Sequence, residues 1–163
     1  MKVAIISDVH DNVAFLKKAL ECCQSADILV CCGDLCSPFV AKELALGFGR
    51  PIHIVFGNND GDRFRIAANL AQYPQLHFHG EYVEIELGGR MFSVNHFDNI
   101  GRAIAASERF DVVCFGHTHR FEITHVGRTL VINPGEIYGE LTGSATFVIY
   151  DTSSGEAVRV DVL

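Results

Sequence analysis

The sequence predicts an α/β protein: two mixed β-sheets packed face to face with flanking helices on the outside, in one domain over residues 1–163. Three observations carry this expectation. Up to Ala71 apolar strands alternate with helical stretches, and that alternation requires a parallel sheet with helices against it. Beyond Leu76 the strands follow one another closely through tight turns, which builds antiparallel pairing. No Pro/Gly/Ser-rich linker and no internal repeat divides the two halves.

The elements follow in order. Lys2–Ser7 is an apolar, β-branched strand that stops at Asp8. Asn12 caps a helix running to about Gln24, with Val13, Leu16, Leu20 and Cys23 on one apolar face. Asp27–Cys32 reads as a buried strand, Pro38 opens a shorter helix, Ile52–Phe56 is a third strand and Asp62–Ala71 is helical. Tyr82–Leu87 and Arg90–Asn95 flank Gly88-Gly89, a strong hairpin signal. A helix from about Asn99 to Arg109 precedes the strand Val112–Phe115. Phe121–Val126, Thr129–Asn133, Ala145–Asp151 and Ala157–Val162 complete the strands, with turns at Gly127-Arg128 and Thr152–Gly155.

Composition narrows the function classes. Charged residues make up 20% of the chain and apolar ones 48%, which supplies a full core and excludes disorder. No run approaches the roughly 18 apolar residues that a bilayer span demands. Thirteen Lys and Arg against twenty Asp and Glu give a net charge of −7. The chain lacks the basic footprint of a general nucleic-acid binder, so nucleic acid enters only as a substrate. Six cysteines without a CxxC-type pair, and no secretory signal, fit free thiols in a reducing cytoplasm. For Cys31, Cys32 and Cys36 a role as small buried hydrophobes outweighs a zinc site, and a cysteine redox protein is disfavoured for the same lack of CxxC.

Five polar clusters sit directly after predicted apolar strands: Asp8-Val9-His10, Gly33-Asp34, Gly57-Asn58-Asn59-Asp60, Asn95-His96 and Gly116-His117-Thr118-His119. Ligands of α/β sheets bind outside the carboxyl ends of the strands, so five such loops can converge on one point. Singly, each is an ordinary loop residue: a surface histidine, a turn aspartate, a cap. Jointly, Asp8, His10, Asp34, Asn58, His96, His117 and His119 form a hard-to-borderline donor set suited to manganese, iron, zinc or nickel. His53, His77, His79 and His125 fall inside strand or hairpin patterns and are assigned no role.

DxH, GD, GNxD, a later His and GHTH, in this order and compact spacing, resemble the calcineurin-like metallophosphoesterases. The likeness is to their compact bacterial and archaeal phosphodiesterase branch, related to the retromer-subunit scaffold, and extends from Asp8 to Asn133-Pro134-Gly135. The resemblance implies two divalent ions, manganese first, with nickel, iron(II) or zinc as alternatives. Asp8, His10, Asp34 and His119 would hold one; Asp34, Asn58, His96 and His117 would hold the other, with Asp34 bridging. His10, Asp34 and Asn58 would serve catalysis through the metals. The implied reaction is in-line attack of a metal-bridging hydroxide on a small phosphate ester or diester. By formal charge such a centre carries about +1, a local attraction for phosphate that the acidic chain otherwise lacks. Asn12 and nearby backbone N–H groups are further anion contacts.

Two departures from the family pattern stand out. Most relatives carry a proton-donating His after the metal-binding Asn, where this chain has Asn59, which cannot act as a general acid; the compact phosphodiesterase branch tends to lack this His, so the departure fits that branch. Phe97-Asp98 follows His96 in place of glycine: Phe97 either packs or walls the pocket, and Asp98 either caps a helix or orients His96. His79, His125 and Asp98 are the alternative proton donors. The competing class is a non-enzymatic interaction scaffold that keeps the fold. Substrate, metal and the pairing of copies stay open at this level.

Overall fold

The computed structural model describes residues 1–162 and places eleven strands and four α-helices among them. β1 (Lys2–Ile6), α1 (Val13–Cys22), β2 (Ile28–Cys31), α2 (Val40–Gly47), β3 (Ile52–Ile54), α3 (Arg63–Leu70) and β4 (Leu76–Phe78) form the βα half. β5 (Tyr82–Leu87), β6 (Arg90–Asn95), α4 (Asp98–Ala105), β7 (Val112–Cys114), β8 (Glu122–Val126), β9 (Thr129–Asn133), β10 (Thr146–Asp151) and β11 (Glu156–Asp161) follow.

The first sheet has the order β11-β10-β1-β2-β3-β4 and the second β5-β6-β7-β9-β8. Both are mixed. β1 to β4 run parallel, because each crossover carries a helix, while the β10–β11 hairpin returns to pair β10 antiparallel with β1. In the second sheet α4 makes the crossover that sets β7 parallel to β6. The chain therefore does not divide cleanly into a parallel half and a hairpin half, as its rhythm alone suggests. The last hairpin closes the first sheet.

The layers explain the apolar runs. Val3 and Ile5 of β1 face the second sheet, while Ala4 and Ile6 face α1 and α2, so the strand is buried on both sides. A smaller cluster of Ala105, Phe110, Val113, Phe115 and Val131 seats α4 on the outer face of the second sheet. Asn12 caps α1, its side chain accepting from Phe15 N at 3.2 Å. α1 is shorter than its periodicity predicts, and a 3₁₀ turn over Cys23–Ser25 ends it. Gly88 and Gly89 both have φ above +50°, the pair of left-handed residues that a two-residue hairpin requires. All six cysteines are free thiols.

Three histidines of the β3–β4 corner come together. His53 stacks against His77 and His79 with ring centroids 5.0 and 5.1 Å apart, and its Nδ1 lies 2.9 Å from His79 Nε2. Burial, reinforced by the two neighbouring rings, pushes the His53 pKa down to about 4. An unfolded chain takes that proton near 6.5, so between the two values the unfolded state binds more protons and stability falls as the pH drops. Thermal melts in chelator from pH 7 to pH 4 should show a shallower loss for His53→Gln than for wild type. The difference should be on the order of 1 kcal/mol, given the solvent screening of a partly exposed ring.

Candidate metal centre

The carboxyl ends of β1, β2, β3, β6 and β7 open at one edge of the sandwich, and the five polar clusters meet there. The floor is buried: Asp8, Asp34 and His96 are at most 1% exposed. His10 and His119 are partly covered, and Asn58 and His117 form the open mouth.

Glycines allow the loops to approach this closely. A Cβ on Gly57 would overlap Asp34 Oδ1, and one on Gly116 would overlap Ser7 Oγ and Asp8 Oδ2. Backbone strain concentrates in the same place. Eight non-glycine residues among the described ones have positive φ, and five of them are Asp8, His10, Asp34, His117 and His119. Such conformations cost about 1–3 kcal/mol each and persist only where surrounding contacts enforce them.

The enforcing contacts are specific. Asp60 is 4% exposed and accepts from Gly57 N at 2.6 Å, Asp34 N at 3.2 Å and Cys36 N at 3.0 Å, tying the second loop to the third. Asn133 donates from Nδ2 to Gly116 O and Thr118 Oγ1, both at 2.9 Å, and so holds the fifth loop. His117 N donates to Asp8 Oδ2 at 3.1 Å. Asn59 donates to Asp34 twice, from its backbone N to Oδ1 and from Nδ2 to Oδ2, each at 2.8 Å.

The histidines are oriented before any ligand enters. His96 donates from Nδ1 to Cys32 O at 2.8 Å. Its Nε2 lone pair then faces Asn58 Oδ1 at 3.0 Å and Asp34 Oδ2 at 3.3 Å. His119 Nδ1 sits 2.5 Å from Glu136 Oε2, which leaves its Nε2 facing Asp8 Oδ1 at 3.5 Å. His10 Nε2 lies 3.7 Å from Asp8 Oδ1 and 3.5 Å from Asp34 Oδ2. His117 Nδ1 lies 2.8 Å from Asn58 Oδ1. At His96 and His119, where Nδ1 is committed to an oxygen acceptor, the neutral ring turns its Nε2 lone pair on carboxylate oxygens, an arrangement that a proton or a cation relieves.

Two further facts fit a cation. Asp8 Oδ1 and His10 Nε2 are buried with no hydrogen-bond partner among the described residues. The 3.3–3.7 Å gaps exceed hydrogen bonds, yet suit ligands that each stand ~2.0–2.2 Å from a shared ion. Two overlapping groups, Asp8-His10-His119 and Asp8-Asp34-His96, bring such atoms within 4.8 Å of one another.

Charge follows the same logic. The Asp8 carboxylate raises His10 to about 10. Burial alone would lower His96 and raise Asp34. The contact between them, with Asp8 acting on His96 and Asn59 on Asp34, reverses both directions.

Several residues turn out differently from their sequence reading. Asn12 sends its amide to Tyr138 O at 2.7 Å instead of keeping it free for an anion. His96 is oriented by Cys32 O, while Asp98 stands in the first turn of α4, where a negative charge suits the helix end. Phe97 borders the mouth, edge-on to His96 and His117 at 5.3 and 5.2 Å. Glu136 joins the site only through the fold. Fully buried, it braces His119 and accepts at Oε1 from Leu141 N, Thr142 N and Thr142 Oγ1. Its one sequence signal is an acid directly after Asn133-Pro134-Gly135. A cleft of about 450 Å³ between α4 and β5 contains none of these residues.

Residues 1–155 match the family described as the calcineurin-like phosphoesterase superfamily domain, and the chain belongs to it. That membership is consistent with a metal-dependent phosphoester hydrolase. Among curated proteins the chain is 34% identical to Phosphodiesterase MJ0936 of Methanocaldococcus jannaschii over 160 residues, 96% of each chain. A solved archaeal phosphodiesterase superposes with a TM-score of 0.92 at 32% identity, covering 99% of both chains. Zinc-complexed Vps29 of Entamoeba histolytica shares the fold, with a TM-score of 0.67 at 18% identity over the full length of both chains.

Glu136→Gln removes the anionic acceptor from His119 Nδ1 while keeping the side chain's size. Loss of such a partner typically lowers metal affinity about 10–100-fold. Calorimetric titration with Mn²⁺ should register that loss. An unchanged affinity would show that Glu136 only closes the Leu141–Thr142 turn.

Proposed function

We propose that the chain is a dinuclear metal-dependent phosphodiesterase acting as one cytoplasmic domain. The observation that carries this reading is Asp34 Oδ2, buried between His10 Nε2 at 3.5 Å and His96 Nε2 at 3.3 Å. A buried carboxylate oxygen flanked by two imidazole nitrogens supports a bridging role between two ions. Asp8, His10 and His119 would complete one site, and Asn58, His96 and His117 the other, whose donor atoms already converge on Asn58 Oδ1. Manganese is the first expectation and nickel, iron(II) or zinc the alternatives.

When bound, the ions would supply Lewis acidity at the phosphoryl oxygens and acidify the water that attacks phosphorus in line. The protein's own part is positional. Asn59 fixes the Asp34 carboxylate through two hydrogen bonds, Cys32 and Glu136 set the tautomers of His96 and His119, and Phe97 borders the mouth. Asn59 has no proton to give a departing alkoxide. His79 is engaged with His53, His125 lies exposed on β8 and Asp98 opens α4. A positioned donor is typically worth ~10²–10⁴-fold, so turnover should depend steeply on the leaving group.

The decisive experiment is a panel of diesters and monoesters assayed with Mn²⁺, Ni²⁺, Mg²⁺ and Zn²⁺, alongside a metal count on the loaded protein. Hydrolysis of bis(p-nitrophenyl) phosphate that EDTA abolishes supports the reading. Fewer than one ion per chain after Mn²⁺ loading favours the non-enzymatic scaffold class. Asp34→Asn should remove turnover and loosen both ions, whereas His96→Ala should weaken one. Equal metal content in wild type and Asp34→Asn would show the bridging role to be wrong. Across a diester series, nitrophenyl leaving groups should react well and alkyl groups poorly. A flat dependence with chemistry rate-limiting would reveal a donor elsewhere in the site.

A further inference from the structure

A second cleft opens beside the centre. It encloses about 280 Å³, and its walls include His119, Arg120, Phe121, Thr142, Ser144 and Arg159. None of its lining residues is an aspartate or glutamate, in a chain whose acids outnumber its bases by twenty to thirteen. His119 is shared, since its Nε2 faces Asp8 Oδ1 at 3.5 Å while its ring forms part of the cleft wall. The cleft therefore lies on the Asp8–His10–His119 side of the centre, away from Asn58 and His117.

Its two arginines differ. Arg159 lies over the Phe121 ring at 5.0 Å and is held by Asp161 at 2.5 Å, so its charge is partly answered. Arg120 is exposed and forms no ion pair among the described residues; its backbone N donates to Thr118 Oγ1 at 3.3 Å, which anchors the residue beside the centre. An uncommitted guanidinium offers the planar fork that pairs with phosphate oxygens, and Ser144 adds an exposed hydroxyl. In a chain of net charge −7, a cleft lined by two arginines and no acid is a local attraction for a second negative group.

We propose that this cleft is a subsite for a second phosphate group, so that the scissile diester belongs to a nucleotide chain and not to a singly charged small diester. The proposal rests on the phosphodiesterase reading and extends it to a substrate class. The second phosphate is either terminal or the next one along a longer chain, and both present the same chemistry to Arg120.

The test compares the dithymidine diester with its 5′-phosphorylated and 3′-phosphorylated forms and with a thymidine hexamer. In the wild-type enzyme one phosphorylated dimer should show a KM about tenfold below that of the unphosphorylated dimer, an advantage that shrinks with added salt. The hexamer should share the advantage if internal phosphates serve, and lack it if only a terminal phosphate fits. Arg120→Ala should bring the KM ratio between the two dimers close to one, and Arg120→Lys should keep part of it. A single KM for all dimers, or a ratio that survives Arg120→Ala, overturns the proposal. If no diester turns over, including bis(p-nitrophenyl) phosphate, the phosphodiesterase reading fails by itself. Equilibrium binding of the same dimers to wild type and Arg120→Ala then decides the cleft by the same ratio.

Discussion

At the centre of this chain, imidazole lone pairs face carboxylate oxygens. His96 and His119 have each committed Nδ1 elsewhere, to Cys32 O and to Glu136, so in the neutral ring Nε2 meets Asp34 and Asp8 with a lone pair. Burial sharpens the conflict, because Asp8 and Asp34 cannot spread their charge into water. The surrounding construction follows from holding these groups together. Asp60 ties two loops, Asn133 secures a third, and Gly57 and Gly116 remove the side chains that would keep the carboxylates apart. The left-handed backbone at five of the seven candidate ligands is the other face of the same constraint.

The two halves of the centre are braced unequally. Around Asp8 the support is deep: His119 is clamped by fully buried Glu136, whose other oxygen closes the Leu141–Thr142 turn. Around Asn58 the support thins toward solvent, since Asn58 and His117 are both exposed and only His96 reaches the floor. Under the proposed assignment, an ion on the Asp8 side would be enclosed by rigid partners. An ion on the Asn58 side would share its shell with water and incoming phosphate. A centre that must exchange substrate at every turnover gains from that asymmetry.

How much of this was legible in the sequence depends on how local each signal is. The strand ends were readable because apolar runs stop abruptly at Asp8, Gly33, Gly57, Asn95 and Gly116, and strand polarity places those stops at one edge. All seven expected ligand residues lie at the centre that the loops form. What escaped is what depends on pairing between distant loops. Glu136, in the loop after β9, gains its role from His119, Asp60 from the backbone of Asp34 and Cys36 in the loop after β2, and Asn59 from Asp34 twenty-five residues earlier. Asn59 read as a missing proton donor, whereas its amide is spent on the Asp34 carboxylate. His53 shows no sequence link to His77 and His79 because it lies on β3 and they lie on and just after β4, and only the parallel register stacks them. The β10–β11 hairpin resembled any other, and only its pairing with β1 assigns it to the first sheet.

The fold alone does not separate an enzyme from a scaffold, because one architecture can carry unrelated functions. The separation lies in what a scaffold has no physical reason to keep. An interaction surface is served by exposed complementary groups and gains nothing from a buried carboxylate oxygen left without a donor, as Asp8 Oδ1 is here. Nor does it need a second buried carboxylate, Glu136, to hold one imidazole in a single tautomer pointing at the first. Both features are unfavourable in a protein that never binds a cation and turn favourable when it does. Their retention together, under strained backbone at the same residues, is the physical argument for chemistry at this edge of the sandwich.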